Sequence, residues 1–380
     1  MTPSADYGGS MKVVVVTNCF RGTLTSAVVA RAAADGARAA GPSVSVVAVP
    51  LADGGDGSQE QWLRLVGGRE VPAQARDPLG RPVEAGYAVA EDGTAFIEMA
   101  AASGLRLLTG AARDPLRSNT FGTGQLILAA AARGARWIVI GAGGSATLDM
   151  GAGALAALGV RFLDGSGRAR SPVPSELHEI AAVDTSRLSP LLRGVELTVL
   201  SDVRTPLADN ARLFGPQKGM DPRTVSRFET MLRALSEHLL PAGSAGLSRP
   251  WYGAGGGLAS GLSRIGATAS SGSQFFLALA GVESLMGDAD LVITGEGRVD
   301  PSSADGKLPL AVAAMAARHG VPCTVVSATA DIPGHLLPPG TRCLPLSENG
   351  SEVGAADIRR AAERIVREHH TRLCADPAPR

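Results

Sequence analysis

The sequence predicts an α/β protein: a doubly wound sheet built from both chain ends, with a second α/β domain inserted between them. Three observations lead there. Lys12 to Thr17 (KVVVVT) is a short β-branched run, and helix, strand, polar loop and helix follow it within the first 66 residues. The same order returns near the C-terminus, from DLVIT at 290–294 onward. The stretch between them differs, with a hairpin signal and Gly-rich turns.

Taken in order, 12–17 reads as a buried strand because it is continuously apolar and short. Residues 24–40 are Ala-rich with helical spacing, VSVVAVP at 44–50 is a second strand, and the polar loop ADGGDGS leads into a helix over 58–66. Residues 77–99 hold two strands around EDG. A helix over 120–133, a strand at 136–140 (RWIVI) and the run GAGGSATLDMGAG follow. LTVLSDV at 197–203 is a strand, 221–240 an amphipathic helix, and 241–261 a loop or turn region rich in Gly, Ser and Pro. DLVIT precedes a loop (GEGRVDPSSADGK) and a helix over 308–319; VPCTVVSA at 321–328 is a strand and 355–370 the last helix. The expected organisation is a flexible tail at 1–10, a discontinuous domain of 11–75 and 285–375, and an insertion of 76–284.

Composition narrows the function. Of 380 residues, 45% are hydrophobic and 19% charged, enough to build sizeable cores. Lys plus Arg and Asp plus Glu are 36 each, which argues against a nucleic-acid binder, since neutralising phosphate backbones needs a basic surplus. No apolar run is long enough for a membrane span, and residues 1–10 lack the features of a signal peptide. The four cysteines form no CxxC pair and suit a reducing compartment, so a cytoplasmic location is expected. The six histidines are isolated or, as His369-His370, sit near the end of the last helix. Lysine occurs at Lys12, Lys218 and Lys307 alone, so each invites a reason.

In open parallel sheets, ligands bind beyond the carboxyl ends of strands. Those places carry Asn18-Cys19-Phe20-Arg21-Gly22, Asp53-Gly54-Gly55-Asp56, Gly141 to Gly153 with Ser145 and Asp149, Ser201-Asp202, and Gly295-Glu296-Gly297-Arg298-Val299-Asp300. Glycines let backbone N–H groups approach anionic oxygens, and neighbouring acids can hold Mg²⁺ or take a hydroxyl proton. With Lys218 and Lys307 as cationic clamps, this is the equipment of phosphoryl transfer. The Walker A pattern is absent, which excludes a P-loop enzyme.

The residues then carry a resemblance. VPLADGGDGS (49–58), DPLGRPVEA (77–85), FIEMAAASGL (96–105), DPLRSNTFGTGQLI (114–127), GAGGSAT (141–147), SDVRTPL (201–207), FGPQKG (214–219) and ITGEGRVD with DGKLP (293–309) resemble the bacterial glycerate kinase family that is unrelated to P-loop kinases. The resemblance implies a flavodoxin-like domain built from both ends plus an inserted domain. It also implies ATP- and Mg²⁺-dependent phosphorylation of D-glycerate or a similar small hydroxy acid. On that basis Asp202 or Asp53 is the expected base, Lys218 and Arg21 the catalytic cations, and Asn18, Arg21, Ser145, Asp149 and Arg298 the substrate contacts. Gly54, Gly55, Gly295, Glu296, Gly297 and Lys307 are expected at the nucleotide, and Asp56, Glu296 and Asp300 at the metal, with Asp53 a further metal candidate. A monomer or homodimer is expected.

Several positions depart from the family pattern. Asn18 and Arg21 stand where Asp and Lys are usual, and Leu148 and Met150 where Asn and Gly are usual. If those loops face the ligand, substrate preference changes. An ordinary glycerate kinase, a divergent kinase of a specialised pathway, an impaired binding relative and a phosphatase or mutase all stay open at this point.

Overall fold

The computed structural model describes residues 10–375 apart from 21, 109–112, 202, 241–245 and 348–350, so the tail expected over 1–10 falls, except for Ser10, outside it. The chain divides into two compact units, Met1–Asp53 with Ser273–Arg380, and Gly54–Gly272.

It opens on β1 (Met11–Thr17), α1 (Ser26–Ala39) and β2 (Val44–Pro50). The inserted unit runs through α2 (Ser58–Val66), β3 (Arg69–Arg76), β4 (Pro82–Val89), β5 (Ala95–Glu98), α3 (Ala100–Ser103), α4 (Phe121–Ala132), β6 (Trp137–Gly141) and α5 (Ala152–Ala157). It continues with β7 (Arg161–Leu163), β8 (Ala169–Arg170), β9 (Ala182–Asp184), β10 (Glu196–Ser201), α6 (Asn210–Phe214), α7 (Pro222–Leu239), α8 (Ala254–Leu262) and β11 (Thr268–Ser271). The chain then adds α9 (Gly272–Leu279), α10 (Val282–Met286), β12 (Leu291–Val299), α11 (Leu308–Arg318), β13 (Cys323–Ala330), β14 (Thr341–Pro345) and α12 (Ala355–Ala375).

The first unit is a five-stranded parallel sheet in the order β14-β13-β12-β1-β2. Numbered within the unit, that is 2-1-3-4-5, the flavodoxin-like order. The valines of β1 are buried on both faces, as a central parallel strand requires. Val13 and Val15 pack with Val29, Ile358 and Ile365 of α1 and α12. Val14 and Val16 point to the opposite face, where α11 contacts β1, β12 and β13. The two helices on the first face cross closely at Gly36, where a Cβ would lie 2.0 Å from the Arg359 carbonyl oxygen. Thr25 caps α1 by accepting from the Val28 N–H.

The second unit is a mixed six-stranded sheet, β11-β10-β6-β5-β4-β3, parallel from β5 through β11 and antiparallel at β3 and β4. Leu126 and Ile127 of α4, Ile138 and Ile140 of β6, Leu155 of α5 and Phe228 and Leu232 of α7 share its core. A small three-stranded sheet, β8-β7-β9, completes it.

The structure moves several expected boundaries. Strand β3 went unread, yet it pairs with β4 along its whole length, from Arg69 with Val89 to Arg76 with Pro82. That draws α2 and β3 into the inserted unit, whose edges fall at 53/54 and 272/273 rather than 75/76 and 284/285. Residues 295–299 are not loop: β12 carries on through them, in register with β13 as far as Val299. Within 241–261, α8 begins at Ala254, although Gly255, Gly256 and Gly257 all have left-handed backbone.

Candidate active site

In the first unit the strand order reverses direction between β1 and β12, the switch point at which such sheets bind ligands. Thr17, the last residue of β1, is in register with Gly295. The Asn18 N–H then donates to the Gly295 carbonyl at 3.0 Å. A Cβ on Gly295 would lie 2.3 Å from the Val326 carbonyl oxygen, so this approach needs glycine. The Asn18 carboxamide is oriented by its partners. Its Oδ1 accepts from the Cys19 N–H at 2.8 Å, which turns Nδ2 to donate to Asp53 Oδ2 at 2.7 Å. Asn18 and Asp53 are both buried.

Beyond Gly295, the buried Glu296 accepts from the Ser303 hydroxyl at 3.0 Å. Asp300 caps the short 3-10 turn that follows, accepting from the Ser302 N–H at 3.0 Å. Lys307 Nζ lies 3.8 Å from Asp300 Oδ1 and Arg298 Nε 3.5 Å from Oδ2. Partial burial opposes the charge on Asp300, but the Ser302 bonds with Lys307 and Arg298 together hold its carboxyl below the usual range. Arg298 itself is 70% exposed, a placement that commits it to no pocket.

In the second unit two glycine turns are laced together. The Gly54 N–H donates to Ser58 Oγ at 3.1 Å and the Gly54 carbonyl accepts from the Gly143 N–H at 3.1 Å. A Cβ on Gly143 would lie 2.3 Å from Gly55 Cα. The exposed Asp56 reaches over Gly144, its Oδ1 2.7 Å from where a Cβ there would be.

The same unit buries two titratable side chains, Asp149 and Lys218. Asp149 is completely buried and its carboxylate collects donors: the Thr120 N–H at 2.8 Å, the Thr120 hydroxyl at 2.7 Å, the Gly153 N–H at 3.0 Å and the Gly151 N–H at 3.2 Å. Burial raises its pKa and those bonds oppose the rise. Lys218 ends the 3-10 turn Pro216–Lys218. It is 2% exposed, and its Nζ donates to Ser145 Oγ at 3.0 Å and to the Thr147 carbonyl at 2.7 Å. Burial brings the amine down to about 7, against the field of Asp149. A cation held there suits an oxyanion, with flexible glycine backbone beside it.

The first unit thus joins Asn18 to Asp53 and places Glu296, Gly297, Arg298, Asp300 and Lys307 on or just after β12. The second joins Gly54 and Gly55 to Gly143, and Ser145 and Asp149 to Lys218. Arg21 and Asp202 lie outside the described residues. Leu148 and Met150 are both packed in the core of their unit, with 1% and 0% exposure. Their departure from the family pattern therefore bears on packing, and Met150 pays for it with a φ of 54° where glycine is at ease.

Thr120, Thr147 and Ser303 were missed, since their roles are bonds to distant or short-range partners. The Asp300-x-x-Ser303 spacing of a capping box was the one local signal. Among the described residues no group of three or more His, Cys, Asp or Glu is placed to hold a metal. An ion carried on nucleotide phosphates needs one or two carboxylates rather than a cage. The four cysteines form no disulfide among the described residues, and no described helix is long and apolar enough to cross a membrane.

Comparison with known proteins gives one answer. The model of the glycerate kinase family matches residues 13–367. A glycerate 2-kinase of Escherichia coli (strain K12) is 39% identical over 318 residues, covering 82% of this chain and 84% of its own. A glycerate kinase of Bacillus subtilis (strain 168) is 40% identical over 324 residues, covering 82% and 83%. The crystal structure of a glycerate kinase 2 from Salmonella typhimurium LT2 superposes with a TM-score of 0.76 at 32% identity, over 96% of this chain and 100% of that one.

Proposed function

The chain belongs to the glycerate kinase family, phosphotransferases with an alcohol group as acceptor, and on that premise we propose that it transfers the terminal phosphoryl group of ATP to a hydroxyl of D-glycerate. The observation that carries the mechanism is Lys218: a buried amine, bonded to the Ser145 hydroxyl, in a loop of glycines. A cation is costly to bury, and its use is to meet anionic oxygens where water cannot screen the attraction.

Asp53 accepts the proton of the attacking hydroxyl. Asn18 spends one N–H on Asp53 and fixes its oxygen on Cys19, leaving a second N–H to orient that hydroxyl. Asp202 is the alternative base, and Arg21 is the partner of the substrate carboxylate. Lys307 and the Gly54-Gly55 and Gly295-Gly297 backbone serve the nucleotide. Mg²⁺, held by Glu296 or Asp56 with the phosphates, would supply neutralisation of the developing charge.

The reading of a changed substrate keeps Asn18 and Arg21 as its support and loses Leu148 and Met150, which are core residues. An ADP-release assay with D-glycerate and a panel of small hydroxy acids tests both. Release above background with D-glycerate supports the proposal, release with another acid alone supports the changed substrate, and release with none refutes both.

A further inference from the structure

Lys218 has three N–H groups when charged, and among the described residues two of them have acceptors, Ser145 Oγ and the Thr147 carbonyl. Both acceptors are neutral. Among the described residues, the charged groups at this turn are Asp149 and Arg113. Asp149 acts through its field without an ion pair to the amine, because its oxygens receive Thr120, Gly151 and Gly153. Arg113 donates to the Gln217 carbonyl at 3.3 Å and packs its Cβ beside Gly219. Among the described residues a buried ammonium here is therefore one acceptor short. Ser145, which accepts from the amine, is 8% exposed against 2% for Lys218.

We infer that Lys218 binds an oxyanion of the reactants through Ser145 and takes up a proton from solution as that anion arrives. This rests on the phosphotransferase reading, which supplies the anion: a nucleotide phosphoryl oxygen or the glycerate carboxylate. One solvent proton adds to the Nζ lone pair, and no bond to the ligand forms. The ammonium keeps its bonds to Ser145 Oγ and the Thr147 carbonyl, the Ser145 O–H turns to donate to the anion, and the third N–H donates to the same anion. In the free protein, burial drives the amine toward neutrality, to about 7, which makes the uptake measurable near neutral pH. The linkage is reciprocal, so binding tightens as pH falls toward 7.

Isothermal titration calorimetry of the full chain, in buffers of different ionisation heat, measures the uptake directly. D-glycerate and ADP are titrated separately, and the ligand that shows uptake is the source of the anion. With the amine titrating at about 7, the expected uptake is about 0.9 proton at pH 8, and for D-glycerate about 0.1 at pH 6. Lys218→Arg is permanently charged and binds without uptake. Should that variant fail to fold, Ser145→Ala gives the second check: uptake persists while affinity falls about tenfold, the loss of one charge-assisted hydrogen bond. Binding with uptake for neither ligand at pH 8 overturns the inference and leaves the kinase reading intact, as does uptake that persists in Lys218→Arg. Failure of both ligands to bind overturns the kinase reading and the inference with it.

Discussion

The Asn18 carboxamide donates to the Asp53 carboxylate at 2.7 Å, and both side chains are buried at the carboxyl end of the first unit's sheet. Asn18→Asp would set two carboxylates at hydrogen-bond distance, where both cannot ionise freely. The folded pair then keeps a proton that the unfolded chain, with Asp near ~3.9, has released. A raised folded pKa gives stability that is present at low pH and lost as pH rises through it. The melting temperature of Asn18→Asp should thus fall further below that of the parent at pH 8 than at pH 5, by roughly 2–4 °C for each kcal/mol of repulsion. A gap independent of pH would contradict this reading of the pair.

Lys218→Met should separate stability from activity. Turnover in the ADP-release assay is expected to drop about 100-fold or more, as for other groups that meet developing charge. Melting near pH 7 should be unchanged or higher, because an apolar side chain of similar volume suits a buried site. Above about 7 the folded lysine has lost its proton, whereas the unfolded one holds it to ~10.4. The unfolded state binds more protons in that window, so parental stability rises with pH and the advantage of the Met variant shrinks toward pH 9. Parent-like turnover would show that Lys218 is not at the reaction.

Met150→Gly tests which of two effects is larger. Relieving the left-handed backbone at φ 54° is worth about 1–2 kcal/mol. Emptying a fully buried methionine site costs about 2–5 kcal/mol. Chemical denaturation should therefore show a net loss of up to about 4 kcal/mol. A gain in stability would mean that the strain outweighs the packing.

Gly143→Ala should be severe and Gly165→Ala nearly silent. The first puts a methyl 2.3 Å from Gly55 Cα, and the second finds nothing within 4 Å. Loss of soluble yield or of turnover is expected for Gly143→Ala, with changes within about 0.5 kcal/mol for Gly165→Ala. Equal behaviour of the two would deny that the glycine turns are pressed together.

Much of this is visible in the chain itself. KVVVVT can only be a buried strand, and the same logic finds β2, β6, β10 and most of β13. The turns at Gly54-Gly55 and Gly141 to Ser145 are visible too, because clustered glycines mark turns. Strand β3 escapes notice because it is an edge strand: it alternates exposed and buried residues, carries three charges and tolerates Pro72. Gly255 to Gly257 read as loop because the segment is rich in Gly, Ser and Pro, and their backbone is indeed left-handed, although α8 runs on from them. The burial of Lys218 and Asp149 is set by partners such as Ser145 and Thr120, 73 and 29 residues away, which no local pattern encodes. Leu148 and Met150 mislead for the same reason, since a loop position does not say which way its side chain turns.

Incubating the protein with D-glycerate and ATP labelled at the γ-phosphoryl group, then identifying the labelled product, is the most direct test of what the molecule does. Label in a phosphoglycerate, formed one for one with ADP, is the result expected of an alcohol phosphotransferase using this substrate. Label that stays in ATP, or appears in inorganic phosphate alone, would contradict it.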